Sequence, residues 1–197
     1  MVIKMKVLLG TKNQGKIKEI IEICEIIMPK LEVITLNDMF DIEEPVEDKD
    51  TFLKNATLKA EYYYNIYKIP VICDDSGLVI EALNGEPGVL SARYAGEHDF
   101  EANIDKVLDK MQGIENRKAY FQTTAVYYDG KKIIAADGFC HGEILNKRHG
   151  TNGFGYDPIF FVESIGMTFG EAKDEIKNKL SHRYNAIKKL LTKLKNA

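Results

Sequence analysis

Apolar and polar positions along the chain form short segments that predict strands and helices in turn. Residues 7–9 form an apolar run that reaches the polar stretch 10–13, which predicts a buried strand followed by a loop. The next apolar positions have helical spacing as far as Pro29, which ends the helix. They are Ile17, Ile20, Ile21, Cys24, Ile27 and Met28. Residues 31–36 then predict a second short strand.

The middle of the chain contains a second helix and a short strand that reaches a polar stretch. Thr51 is placed to cap a helix, whose predicted apolar stripe is Leu53, Ala56, Ala60, Tyr63, Tyr64 and Tyr67. Residues 71–73 predict a short buried strand that reaches the polar residues 74–77, and residues 78–83 predict another strand or turn. Residues 84–98 have the composition of a loop, and residues 99–111 the spacing of a helix.

The last part of the chain contains a predicted hairpin and a final helix. Residues 119–128 and 131–145 are typical of two long strands joined at Asp129-Gly130. A glycine-rich loop at 146–157 precedes a strand at 159–162. Ser181 is placed to cap a helix whose apolar face is Ile187, Leu190, Leu191 and Leu194. Helices that alternate with strands, together with a hairpin, predict a mixed α/β fold.

Composition limits the protein classes that remain. The 197 residues carry a formal net charge of −3 and are 45% apolar and 29% charged. We therefore expect one globular domain over residues 1–197, with no membrane partner and no nucleic-acid partner. No apolar run approaches the ~18 residues of a membrane span, and the N-terminal residues predict a strand. Cys24, Cys73 and Cys140 are far apart in apolar runs, as in a reduced, cytoplasmic protein.

Two polar groups are suited to phosphate and metal chemistry. Thr11, Asn13 and Lys16 lie between a predicted strand and helix, where backbone N–H groups and a lysine suit phosphate oxygens. An ordinary strand–helix turn is the alternative. Asp74 and Asp75 follow a short strand and precede Ser76 and Gly77. Adjacent strand residues project to opposite sides, so we expect one carboxylate to face the site. The alternative is a polar turn with the glycine at positive φ.

Three further groups are suited to base or phosphate contacts. On the second helix Lys59 shares a face with Phe52 and Asn55, although a surface lysine is the simpler interpretation. The glycine-rich loop contains Phe154, Gly155, Tyr156 and Asp157, where an aromatic ring suits stacking and core packing is the alternative. The last group is Lys177, His182 and Arg183, near the start of the final helix, where surface capping by His182 and Arg183 is the alternative.

The five groups together are more specific than any one of them, because all lie at element ends, where α/β folds place ligands. In chain order, the segments TKNQGK, TFLKNATLKA, DDSGL, TNGFGYDPIFF and SHRYNA closely resemble the inosine triphosphate pyrophosphatase family, over residues 6 to 194. That resemblance implies hydrolysis of inosine, deoxyinosine and xanthosine triphosphates to monophosphate and pyrophosphate. It also implies an elongated mixed sheet with flanking helices, two lobes with a cleft between them, and a homodimer.

The resemblance also assigns roles to individual residues. It implies that Thr11, Asn13 and Lys16 form the triphosphate loop, that Lys59 lies near the phosphates and that Ser76 touches substrate. The base contacts that it implies are Phe154, Gly155, Tyr156, Asp157, Lys177, His182 and Arg183. Asp75 resembles the catalytic aspartate and a ligand of Mg²⁺, for which Mn²⁺ is a possible substitute. Glu47 is the expected second metal ligand, with Glu44 as the alternative.

Two other functions remain open at this stage. A non-catalytic nucleotide-binding module has no need of an acidic pair, because carboxylates repel phosphate unless a cation is present. A pyrophosphatase of related fold acting on modified pyrimidine nucleotides keeps the acidic centre but needs a different base pocket. Pyrophosphate release from a panel of nucleoside triphosphates, with and without Mg²⁺, separates all three.

Overall fold

The structure is a computed structural model that describes residues 5–96 and 99–196. The chain forms two compact units. The first comprises the described parts of Met1–Asp75, Thr123–Gly138 and His182–Ala197, and the second comprises Ser76–Gln122 and Phe139–Ser181. The predicted loop at 84–98 ends at Glu97 and His98, which lie outside the described residues.

The described residues contain five α-helices and one seven-stranded sheet. The strands are β1 (Lys6–Leu9), β2 (Glu32–Thr35), β3 (Val71–Ile80), β4 (Lys118–Tyr128), β5 (Ile133–Ile144), β6 (Phe160–Val162) and β7 (Met167–Thr168). The helices are α1 (Gln14–Ile27), α2 (Phe52–Tyr67), α3 (Phe100–Lys110), α4 (Asp174–Leu180) and α5 (His182–Lys195). The strand order is β2-β1-β3-β4-β5-β6-β7. Strand β1 pairs in parallel with β2 and β3, whereas β6 pairs antiparallel with β5 and β7. The predicted mixed α/β fold is confirmed.

Alternation along β1 and β3 gives the sheet of the first unit two apolar faces. Val7, Leu9 and Ile72 pack in one cluster with residues of α1 and α5. Leu8, Val71 and Cys73 pack in a second cluster with residues of α2. Because side chains alternate along a strand, the residues that follow Cys73 must also alternate between the α1/α5 face and the α2 face.

The second unit has its own core, which lies against α3. Apolar residues of β3 and β4 pack there with Ile104 and Val107 of α3 and with Phe160 of β6. Tyr94 and Tyr156 belong to the same cluster. At the N-terminus of α3, Asp99 accepts a hydrogen bond from the Ala102 backbone N–H at 3.0 Å, which is the cap that a helix start requires.

Three details of individual elements differ from the sequence predictions. The predicted short strand at 71–73 continues from Val71 to Ile80 as β3, so the alternative of a polar turn at 74–77 is wrong. Leu53 lies on the exposed side of α2, and Phe52 takes the buried position. The buried face of α2 also includes polar Asn55 and Lys59, so an apolar stripe alone could not locate it. Helix α4 was missed because its sequence, DEIKNKL, has only two apolar residues.

Other predicted features are confirmed. Thr51 caps α2, since its side chain accepts a hydrogen bond from the Lys54 N–H. The turn between β4 and β5 lies at Asp129, whose carboxylate accepts from the N–H groups of Lys131 and Lys132. All three cysteines are free and buried. Among the helices in the described part of the chain, none is long and apolar enough to cross a membrane.

Candidate active site

Strand β3 directs two adjacent carboxylates to opposite faces of the sheet. Asp74 follows the alternation of Ile72 and faces α1 and α5, where Lys16 and Arg183 lie. Asp75 follows Val71 and Cys73 and faces α2, where Asn55 donates a hydrogen bond to its Oδ2 atom at 3.0 Å. The expectation that the two side chains point in different directions is therefore confirmed, although they lie within a strand and not at its end.

Asp75 is a buried carboxylate with several charged neighbours. Burial raises the pKa of Asp75 to about 6, while Lys59 and Lys16 act to lower it and Glu47 acts to raise it. Burial disfavours the charged form of a carboxyl group, and nearby cations favour it. The group is thus suited to exchanging a proton near neutral pH.

Lys59 joins the acidic residues of this region. Its Nζ atom lies 3.0 Å from Oε1 of Glu47 and donates to the Asp74 backbone carbonyl at 2.7 Å. Burial acts to lower the pKa of Lys59, but the carboxylates of Asp75, Glu47 and Asp74 raise it above its ordinary value. Lys59 is therefore a charged ammonium inside the protein and not the surface lysine of the simpler interpretation.

The two candidate metal ligands of the acidic loop have different surroundings. Glu47 forms an ion pair with Lys59 and contributes to raising the pKa of Asp75. Glu44 instead contributes to raising the pKa of Tyr63, where burial has the larger effect. This difference favours Glu47 as the partner of Asp75.

The donor set of this region fits a hard divalent cation. Mg²⁺ is bound through one or two carboxylates together with substrate phosphates and water, and Asp75 with Glu47 supplies two carboxylates. In the described ranges, 5–96 and 99–196, there is no cluster of three or more His, Cys, Asp or Glu side chains able to hold a metal ion. Asp75 and Glu47 are therefore two carboxylates and not the full ligand set of a protein metal cage.

On the opposite face of β3, Asp74 lies in a buried ionic network. Lys16 of α1 approaches the Asp74 carboxylate at 3.0 Å, and Nε of Arg183 approaches it at 3.5 Å. Arg183 is only 1% exposed, and its Nη1 atom also contacts Glu19 of α1. Burial acts to lower the pKa of Arg183, but Glu19 and Asp74 raise it. Arg183 thus lies in a buried network and not on the surface.

Thr11 and Asn13 form the turn that begins α1. The Asn13 Oδ1 atom accepts from the Lys16 N–H at 3.0 Å, and the Thr11 hydroxyl accepts from the Asn13 N–H at 3.2 Å. Such a turn leaves backbone N–H groups at the positive end of the helix dipole. Asn13 therefore caps the N-terminus of α1, three residues before Lys16.

In the second unit, a buried ion pair shapes the glycine-rich loop. Lys177 lies 2.7 Å from Oδ2 of Asp157, and both residues are buried. The same carboxylate oxygen accepts from the Phe154 N–H at 2.8 Å. Gly153 has a φ of +75°, and a Cβ atom there would lie 2.0 Å from that oxygen. Glycine is required at this position because of both its φ and this close approach.

Phe154 is held in place by the same lysine. The Lys177 ammonium lies 4.6 Å from the centroid of the Phe154 ring, within the range of a cation–π contact. Gly155 has a φ of +60° and follows directly. Tyr156, by contrast, is a core residue whose hydroxyl donates to the Ser91 carbonyl at 2.9 Å. Its ring therefore packs in the core, as the alternative interpretation of this loop proposed.

His182 and Arg183 are placed by a close contact between β5 and α5. A Cβ atom at Gly138 would lie 2.1 Å from the His182 carbonyl oxygen and 2.3 Å from the Ala186 nitrogen. Glycine at position 138 thus allows the first turn of α5 to approach the strand closely. His182 and Arg183 are both buried in the first turn of this helix.

The predicted residues form two groups, each within one unit. The first unit contains Thr11, Asn13, Lys16, Glu47, Lys59, Asp75, His182 and Arg183. The second contains Ser76, Phe154, Gly155, Tyr156, Asp157 and Lys177. The sequence analysis missed Glu19, which lies on the buried face of α1 together with Ile20 and Ile23. A charged residue among buried positions of a helix indicates a buried ionic partner. It also named Asn55 only as a neighbour of Lys59.

The sequence and the fold were compared with those of known proteins. The model of the Ham1 family matches residues 7–193. A dITP/XTP pyrophosphatase of Bacillus anthracis is 46% identical over 195 residues, which cover 96% of each protein. The Staphylococcus aureus Ham1 protein is 39% identical with a TM-score of 0.85, covering 97% of this chain and 98% of that one. A HAM1 protein from Coxiella burnetii is 34% identical with a TM-score of 0.88, covering 98% and 100%. The resemblance found in the sequence motifs is confirmed, and the chain belongs to the Ham1 family.

Proposed function

We propose that this protein hydrolyses the non-standard purine nucleotides dITP, ITP and XTP to their monophosphates and pyrophosphate. The observation that carries the proposal is the buried Asp75 carboxylate, which has Lys59, Lys16 and Glu47 as charged neighbours. The near full-length similarity to the Bacillus anthracis dITP/XTP pyrophosphatase supports the choice of substrate. Hydrolysis of such nucleotides removes them from the pool available for nucleic-acid synthesis.

Asp75 and Glu47 are the residues that would hold Mg²⁺, or Mn²⁺ in its place. Both metals prefer carboxylate oxygens. When bound, such an ion neutralises charge on the phosphate oxygens, which is worth several kcal/mol in the transition state. Lys59 contacts Glu47 at 3.0 Å and so holds this ligand on the α2 side of the sheet.

The reaction requires a water molecule, a proton acceptor and stabilisation of the leaving group. The water oxygen forms a bond to the α-phosphorus while the bond from that phosphorus to the bridging oxygen breaks, and pyrophosphate leaves. Asp75 orients the attacking water and takes its proton. Lys16, Lys59 and the N-terminus of α1 stabilise the charge that develops on the pyrophosphate.

The glycine-rich loop of the second unit is proposed to contact the base. Phe154 offers a ring for stacking, and the contact with Lys177 fixes that ring. Gly155 and Tyr156 belong to the same loop, and the Asp157–Lys177 ion pair stabilises its conformation. The family resemblance implies further substrate contacts from Ser76 and His182, and also from Arg183, which is only 1% exposed and contacts Asp74 and Glu19. Protein donors directed at the O6 atom of hypoxanthine and xanthine would have no acceptor in adenine, which has an amino group at that position. Buried donors left without a partner lower the binding affinity.

The direct test is pyrophosphate release from a panel that contains dITP, XTP, dATP and a modified pyrimidine nucleoside triphosphate, with Mg²⁺ and with EDTA. We expect rapid Mg²⁺-dependent hydrolysis of dITP and XTP and slow hydrolysis of dATP. Preference for the pyrimidine substrate indicates a different base pocket. Binding of nucleotides without turnover indicates a non-catalytic module, and either outcome contradicts the proposal.

We further propose that the protein is a cytoplasmic homodimer. The three buried free cysteines support a reducing compartment, and the dimer rests on the family resemblance alone. Light scattering coupled to size-exclusion chromatography tests the dimer, since a mass near 22.3 kDa would be that of a single chain.

A further inference from the structure

The acidic segment, residues 39–51, has no helix or strand of its own, yet it carries Glu47. Side chains of α2 hold its first part through backbone carbonyls. The Tyr67 hydroxyl donates to the Phe40 carbonyl at 2.7 Å, and the Tyr62 hydroxyl donates to the Glu43 carbonyl at 2.9 Å. A segment without regular structure needs such contacts to keep one conformation, because ordering each residue costs about 1–2 kcal/mol of backbone entropy.

Asn55 of α2 connects this segment to the catalytic strand. Its Oδ1 atom accepts from the Lys49 N–H at 2.9 Å, and its Nδ2 atom donates to the Lys49 carbonyl at 3.4 Å. The same Nδ2 atom donates to Oδ2 of Asp75 at 3.0 Å. Asn55 is 0% exposed, so its own amide group is shielded from solvent.

We infer that Asn55 is a positioning residue that fixes the positions of the Glu47 and Asp75 carboxylates relative to each other. The inference rests on the proposed function, in which these two carboxylates act together. Lys49 is two residues after Glu47, so fixing both backbone groups of Lys49 fixes the chain that carries Glu47. The bond to Asp75 fixes the other carboxylate from the same amide group.

Lys59 and Asn55 lie on one face of α2 and contact different parts of the acidic segment. The two residues are four positions apart and therefore lie one helical turn from each other. Lys59 contacts the Glu47 side chain at 3.0 Å, whereas Asn55 binds the backbone of Lys49, two residues after Glu47. An amide suits position 55 because it combines an acceptor for one N–H with two donors for oxygen atoms.

The test compares Asn55→Ala with Asn103→Ala. Asn103 is a matched control because it is also a buried helical asparagine, 1% exposed. Its amide makes bonds to the backbone of Ala92, Ala95 and Gly96, and it has no part in the proposed mechanism. Both variants lose a buried amide with three hydrogen bonds, so a comparable loss of stability is expected from each.

Function should separate the two variants. For Asn55→Ala we expect dITP turnover to fall and the Mg²⁺ concentration for half-maximal activity to rise, each about tenfold or more, as for other residues that orient metal ligands. The Lys49 amide hydrogen should exchange faster in metal-free Asn55→Ala than in the wild type. Asn103→Ala should leave the Mg²⁺ requirement and Lys49 exchange unchanged.

A double-mutant cycle with Glu47→Gln provides a readout that general destabilisation does not change. If Asn55 acts by placing Glu47, then Glu47→Gln should cost much less activity in the Asn55→Ala background than in the wild type. Equal costs in both backgrounds would overturn the inference, as would a Mg²⁺ requirement equal to that of Asn103→Ala.

A second variant covers the case in which Asn55→Ala does not fold. Asn55→Asp keeps the size and the acceptor for the Lys49 N–H but replaces the amide donors by a second carboxyl group beside Asp75. We expect slow Lys49 exchange to persist while turnover falls at least tenfold, and wild-type turnover in this variant would overturn the inference. The failure of the proposed function is seen separately, as a wild-type protein without Mg²⁺-dependent dITP hydrolysis. Lys49 exchange then still reports on the Asn55 contact.

Discussion

Replacing Asp75 by asparagine should make the protein inactive and, in the absence of metal, more stable. The substitution keeps the shape of the side chain and an oxygen to accept from the Asn55 amide, but it removes the charge. Loss of a positioned proton acceptor is expected to lower kcat by at least ~10²-fold. The stability gain follows from burial, which raises the pKa of Asp75 to about 6.

The sign and size of that gain follow from proton binding. A raised pKa means that the folded protein binds this proton more tightly than the unfolded chain does, so its contribution to stability is lost as pH rises from about 4 to 6. Above pH 6 the ionised carboxylate therefore costs the folded state up to about 3 kcal/mol. Removing the charge recovers part of this, and each kcal/mol corresponds to about 2–4 °C in Tm at this chain length.

Asp74→Asn is the matched control, with the opposite expected sign. The Asp74 carboxylate lies 3.0 Å from Lys16 and 3.5 Å from Arg183 inside the protein. Removing one partner of a buried ion pair costs about 3 kcal/mol or more. Thermal unfolding of both variants at pH 7.5 in EDTA, alongside dITP turnover in Mg²⁺, tests the reasoning. Two variants that shift Tm in the same direction, or equal losses of kcat, would refute it.

Four further outcomes are expected. Arg183→Ala should lower the free energy of unfolding by about 3–5 kcal/mol, because it leaves Glu19 with a buried negative charge. Urea unfolding beside the exposed control Lys189→Ala checks this. Gly138→Ala should destabilise by about 1–3 kcal/mol through a clash with the backbone of α5, as measured by Tm. Phe154→Ala should raise KM for dITP with little change in kcat, because it removes a stacking contact worth about 1–3 kcal/mol. Steady-state kinetics would show this. EDTA should abolish pyrophosphate release, and added Mg²⁺ should restore it.

Periodicity predicted much of the fold because the apolar spacing of α1, α5 and the long strands is regular. It failed where polar residues take buried positions. Helix α2 has Asn55 and Lys59 on its buried face, so the apolar stripe pointed to Leu53 instead. Strand β3 continues through Asp74 and Asp75 because partners from neighbouring helices compensate their charges, and no local rule for turns includes those partners.

The candidate residues could be recognised by type and order, but their contacts could not. The sequence pointed to Asp75, Lys16 and Lys59 as chemical groups, and the structure adds which charges surround each of them. The contact of Arg183 with Glu19 joins residues 164 positions apart, which spacing along one chain does not predict. The role of Asn55 likewise depends on the path of residues 39–51, a segment whose irregular backbone gives no periodic signal.

The measurement that tests the central claim most directly is quantification of products from dITP by the wild-type protein and Asp75→Asn, with dATP as the comparison substrate. The account predicts equal amounts of dIMP and pyrophosphate from the wild type in Mg²⁺, much slower turnover of dATP, and at least ~10²-fold less product from the variant. Release of inorganic phosphate with dIDP, or equal hydrolysis of dITP and dATP, would contradict it.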